Sequence, residues 1–252
     1  MESAFCPVAL CAPRPALPIG KAAEWTRSRG RPARSRAAVS FYLGEYGEVE
    51  RRCGRLFGRR LRTWELAGLT GAPDDALVEV GILPGALYLE WYELRTLAFH
   101  AVQLVRRAGP DLVLVNDAFH IRRRSLQGAG LGLRVLQRQL QYARTLGIER
   151  IEVVAGRRPG ENGYYSWPRY GFAGPLAPEV RRRLPPGLDH ARDVLELMDS
   201  AAGRAWWRQH GTTIRVAFDV REESRSWRVF QSYLCERSQH RLANSQRRPN
   251  RP

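Results

Sequence analysis

The chain has 252 residues, 44% of them hydrophobic and 26% charged, a balance that excludes wholesale disorder and leaves enough length to bury a substantial core. Its apolar runs fall short of the 18 or so residues a membrane helix needs, and Phe5 to Ala12 is broken by Pro7 with no basic leader before it. Neither a spanning helix nor a standard signal peptide is expected. The formal charge of +16 sits mostly at the ends: residues 1 to 40 carry seven basic and two acidic side chains, and residues 237 to 252 five basic and none acidic.

Almost every basic residue is arginine, Lys21 being the only lysine, which reflects codon composition as readily as selection for phosphate binding. Arg27 to Arg36 and the final QRRPNRP have compositions that support no core, so residues 1–40 and 237–252 are expected to be disordered, solvated tails. The competing reading makes them a nonspecific grip on nucleic acid, with affinity that collapses as salt rises. Cys6, Cys11, Cys53 and Cys235 are scattered, without a C-x-x-C pair or partner histidines, so zinc is not expected and a reduced, cytoplasmic compartment is.

Composition turns aromatic and aliphatic at Phe41, where an ordered domain is expected to begin. Thr63 to Gly71 reads as a short helix closed by glycine, and Ala72 to Asp75 as a turn. Ala76 to Ile82 and Ala86 to Trp91 flank Leu83-Pro-Gly85, the pattern of a hairpin. Between Trp91 and Val105 the apolar spacing fits a helix, while Ala101 to Val105 alternates like a strand.

Asp111 to Ile121 is the strongest strand in the sequence, Gly130 to Leu146 an amphipathic helix stopped by Gly147, and Ile148 to Ala155 a further strand. Residues 111–155 therefore make a strand, helix, strand unit, which is α/β architecture. Beyond Phe172, helical patterns at Ala191 to Met198, Arg204 to His210 and Ser224 to Cys235 enclose a strand at Thr213 to Phe218.

The informative string is Gln127-Gly-Ala-Gly-Leu-Gly132, between the strand and the amphipathic helix. Glycines let backbone N–H groups approach a ligand, and the helix start adds the positive end of its dipole, so an anion such as pyrophosphate is the expected guest. A dinucleotide fingerprint would need a third glycine where Leu133 stands. A methyltransferase loop would follow its strand directly and have an acid closing the next strand, whereas Arg122, Arg123, Arg124 and Ser125 intervene and the next strand closes on Val153-Val-Ala155.

The string resembles the acyl-CoA loop of the GCN5-related N-acetyltransferases, Gln/Arg-x-x-Gly-x-Gly/Ala, with Gln127, Gly130 and Gly132 at the required positions. A second landmark lies downstream in the order the family uses: Glu161-Asn-Gly-Tyr-Tyr-Ser-Trp-Pro-Arg-Tyr-Gly171-Phe172. The resemblance covers Ala76 to Phe172 and extends to an uncharacterised bacterial subgroup sharing Asn-Gly-Tyr-Tyr-x-Trp-Pro-Arg.

That resemblance implies a mixed, mostly antiparallel sheet with flanking helices and a splayed acyl-CoA cleft over residues 41–175, and a packed carboxy-terminal extension over 176–236. It favours a strand over Ala101 to Val105. It also implies acetyl transfer from acetyl-CoA to a primary amine. Gln127, Gly128, Ala129, Gly130, Leu131 and Gly132 would hold the pyrophosphate, Phe119, His120, Ile121 and Arg122 would pair with the pantetheine arm, and Asn162 would stand at the short helix.

The family's acid tyrosine position is Trp167 here, which leaves Tyr164 and Tyr165 as acid candidates. Asp117 is the leading base candidate, with His120, Glu79 and Glu90 behind it. The alternative is a catalytically idle version of the fold acting as an interaction or nucleic-acid-binding module through its arginine-rich ends.

Overall fold

The computed structural model describes residues 32–42, 46–93, 98–123, 126–128 and 130–246. Two compact units are distinguished, residues 29–233 and residues 1–28 with 234–252; the sheet and the site belong wholly to the first. In chain order the elements are β1 (Ala38–Phe41), α1 (Tyr46–Phe57), α2 (Thr63–Thr70), β2 (Ala76–Leu83), β3 (Ala86–Glu93), β4 (Phe99–Ala108), β5 (Asp111–Ile121), α3 (Leu131–Thr145), β6 (Arg150–Ala155), α4 (Gly163–Arg169), α5 (Pro178–Arg181), α6 (Val194–Asp199), α7 (Ala201–His210), β7 (Ile214–Asp219) and α8 (Arg225–Gln246).

The seven strands form one open mixed sheet whose spatial order is the chain order, β1-β2-β3-β4-β5-β6-β7. β1 with β2 and β5 with β6 are parallel and are joined through helices, as a parallel return requires; the other neighbours are antiparallel, β6 and β7 among them although four helices lie between them. Alternation sets the faces. Leu87, Leu89 and Trp91 of β3, Ala101, Gln103 and Val105 of β4, and Leu114 and Asn116 of β5 are buried on one face, where Gln103 bonds the Thr70 carbonyl of α2 and Asn116 bonds Gln139 of α3. Glu79, Glu90, His100 and Glu152 project from the other, half-exposed face.

Val135, Leu136, Leu140 and Ala143 place the apolar stripe of α3 on the sheet. The ring of Tyr142 lies directly over Gly68 of α2, where any side chain would overlap it, so the missing Cβ lets the two helices close. Gly71 ends α2 in the left-handed conformation at φ 73°, donating to Gly68 O.

In the segment between Trp91 and Val105, residues 94–97 lie outside the described residues and Phe99 to Val105 is strand: β4 pairs with β3 on one side and β5 on the other, so only an extended backbone satisfies its amides. Order begins earlier than Phe41, since Ser35 and Ala37 are buried and β1 opens at Ala38; α1, unanticipated, buries Val49, Cys53 and Leu56. Residues 176–236, expected as a packed extension, contribute a strand to the sheet. Their strand β7 pairs antiparallel with β6, and Phe218 on it packs against Phe172, Trp227 and Phe230. Residues 237–246, expected to be a disordered tail, continue α8. Among the described residues no helix is long and apolar enough to cross a membrane.

Candidate functional site

The site grows from the place where β5 and β6 part. Their parallel ladder runs from Val113 opposite Arg150 to Asn116 opposite Val153 and stops there, while β5 continues to Ile121 paired only with β4. Just past that point the β4–β5 register slips: Gln103 faces Asn116, Val102 faces Ala118, and Asp117 is the extra residue of a bulge. Asp117 is exposed, the bulge having turned it out of the core.

The strand end is tied down before the turn. Arg122 N and Arg123 N donate to the Ala98 carbonyl at 2.8 and 3.4 Å, and Gln127 folds back so that its Nε2 donates to the Ile121 carbonyl at 2.8 Å. Gly128 and Gly130 then turn the chain at φ 75° and 85°, a conformation that β-carbons disfavour, and Gly130 caps α3 without any side-chain hydrogen bond.

Leu131, Gly132 and Leu133 form the first turn of a 15-residue helix, the turn whose N–H groups have no carbonyl partner within the helix. A Cβ on Gly132 would touch the Phe119 ring at 3.4 Å, an ordinary contact. Gly132 therefore keeps the helix end bare without being sterically obligatory. Ala129 lies outside the described residues.

A narrow cleft continues from this helix start along the parting strands. Gln103, Asn116 and Phe119 form its sheet side, Gly132, Val135, Leu136 and Gln139 its α3 side, and Trp167 of α4 its end. Asn116 and Gln139, at 5% and 1% exposure, are paired amide to amide at 3.0 and 2.9 Å and close the floor. The expected phosphate-binding residues and the end of β5 are thus brought together.

The two acid candidates turn elsewhere. Tyr164 Oη donates to the Arg208 carbonyl at 2.9 Å, Tyr165 Oη accepts from Arg208 Nη2 at 2.9 Å, and Trp207 Nε1 donates to the Tyr164 carbonyl at 2.8 Å, so both rings dock α4 on α7. Arg157 and Arg208 stack on these rings at 4.9 and 4.6 Å. Trp167 takes the cleft position because it lies two residues beyond Tyr165, on another side of the helix.

Asn162 is exposed at the N-cap of α4, where its carbonyl accepts from Tyr165 N and Ser166 N. His120 is exposed opposite His100 on β4. Glu90 receives Tyr88 Oη at 2.7 Å and His100 Nε2 at 2.6 Å; burial and that bond to Glu90 push the Tyr88 hydroxyl pKa well up. Glu79, directly across from Glu90, bonds Tyr92, whose hydroxyl is raised by burial and then by that bond.

Sequence reasoning missed the buried amides Gln103, Asn116 and Gln139. The available signal was Gln103 itself, an amide in the inward register of Phe99, Ala101 and Val105. No protein-family model matches the chain, and no curated protein matches it.

Proposed function

We propose that this chain is an N-acetyltransferase of the GCN5-related type, moving an acetyl group from acetyl-CoA to a primary amine. The observation that carries the reading is the divergence of β5 and β6 after Asn116 and Val153, beside a helix start that no side chain caps. The first-turn amides of α3 and the amides of the glycine turn suit the CoA pyrophosphate, with the helix dipole adding to their attraction for it. The arm then lies as an added strand along Phe119 to Arg122, beyond the point where β6 stops pairing with β5.

In the reaction the amine nitrogen attacks the thioester carbonyl, the C–S bond breaks, the amine proton leaves to a base, and the thiolate takes a proton. Asp117, exposed at the bulge, is assigned the base role. Tyr164 has committed its proton to the Arg208 carbonyl, whereas Tyr165 accepts from Arg208 and keeps its own, so Tyr165 takes the acid role on turning from α7 toward the sulfur. A cytoplasmic location accords with acetyl-CoA as co-substrate.

The test is calorimetry with CoA and acetyl-CoA, followed by a mass-spectrometric product scan over pooled amines. Micromolar binding and a product heavier by one acetyl group are expected; no binding at millimolar ligand overturns the reading. The turn of both tyrosines toward α7 favours a second reading, an idle fold of the same type, which gives CoA binding without product.

A further inference from the structure

One atom of the cleft wall has no partner among the described residues. Gln103 is 2% exposed, and its Nε2 donates to the Thr70 carbonyl at 3.0 Å, which fixes the orientation of the amide, because the opposite flip would set two oxygens against each other. Its Oε1 is buried with no hydrogen-bond donor in reach, while Gln103 forms part of the cleft wall opposite Asn116. The neighbouring amides are spent on each other. A buried acceptor left unpaired destabilises a fold, so its persistence on the wall of a narrow cleft points to a donor that arrives from outside, a ligand N–H or a water.

We infer that the cleft recognises a hydrogen-bond donor on its ligand, and that Gln103 Oε1 is the acceptor that reads it. This rests on the acyl-CoA reading for the direction from which the ligand enters. From Ile121 to Asn116 the strand spans five residues, about 17 Å, so an arm anchored at the turn delivers its far half to Gln103. Two donors reach that depth with the same N–H chemistry: an amide of the pantetheine arm and the attacking amine. Gln103 is then a further specificity-determining residue on a strand outside the glycine turn.

The experiment follows the Gln103 side-chain amide signals of the full-length wild-type chain by nitrogen-15 NMR, assigned by their loss in Gln103→Met, while CoA and then pooled primary amines are added. A shift of these signals with CoA alone assigns the donor to the arm; a shift only when an amine joins CoA assigns it to the acceptor. Gln103→Met, if it folds, should weaken the ligand so identified about tenfold. Should the backbone amides of Gln127 to Gly132 move while Gln103 stays still throughout, Gln103 merely holds a water and the inference fails, with the acyl-CoA reading intact. If neither region responds, the acyl-CoA reading itself falls.

Discussion

Cys53 shows how burial governs a thiol. Packed on the inner side of α1 at 1% exposure, its thiol is pushed up from 9.0 to about 11, chiefly by burial. Between those two values the unfolded chain loses the proton and the folded chain keeps it, so the folded state binds more protons and stability falls as pH rises across that window. Urea unfolding from pH 8 to 11 should show the decline beginning near pH 9, and Cys53→Ala should remove part of it. Tyr142, whose hydroxyl is likewise raised by burial, extends the decline above its ordinary 10.0. The two tyrosines of α4 separate by the direction of a single proton. Tyr165→Phe should lower kcat at least tenfold with little change in the KM for acetyl-CoA, while Tyr164→Phe should change kcat less than twofold; equal effects from both would remove Tyr165 as the acid.

Among the elements, α2 and α3 together form the roof over the buried face, and glycines decide how close they come. A Cβ at Gly71 would collide with the Val135 carbonyl of α3 and would also sit at φ 73°. Gly71→Ala should therefore cost about 2 to 4 kcal/mol, combining overpacking with left-handed strain, as read from chemical denaturation. Gly147, also left-handed but with open space around it, should lose only about 1 kcal/mol on the same change. At the far end of the parallel pair, Arg150 bonds Glu152 and Asp111 while Arg106 reaches Glu152 from β4. These groups hold β4, β5 and β6 together where the ladder begins, and the opposite ends are left to separate. Because the groups are about one-third exposed, the network contributes modestly and should weaken with salt.

Across the whole molecule, most of the charge of +16 belongs to residues 1–40 and 237–252. If the ends act as a grip on nucleic acid, binding should fall steeply between 50 and 200 mM salt in the full chain and vanish in a chain of residues 32–236; filter binding against duplex and single-stranded DNA measures both. If the enzyme reading holds, the shortened chain should retain CoA affinity within about twofold, since it keeps Gln103, Asn116, Phe119, Gly132, Val135, Leu136, Gln139 and Trp167 of the cleft.

Local chemistry wrote much of this into the chain. The hairpin at Leu83-Pro-Gly85, the helix stops at Gly71 and Gly147, the long strand ending at Ile121 and the glycine turn before α3 follow from alternation, helical period and glycine's left-handed freedom, all properties of neighbouring residues. The bulge at Asp117 was legible only as a possibility beside Asn116. Which way Tyr164 and Tyr165 point, that β7 completes the sheet, and that Gln103 meets Thr70 across 33 residues were decided by tertiary structure alone. The reason is physical: periodicity reports which side of an element is apolar, but a hydroxyl or amide takes its partner from whichever distant chain packs against it, and no local pattern names that chain.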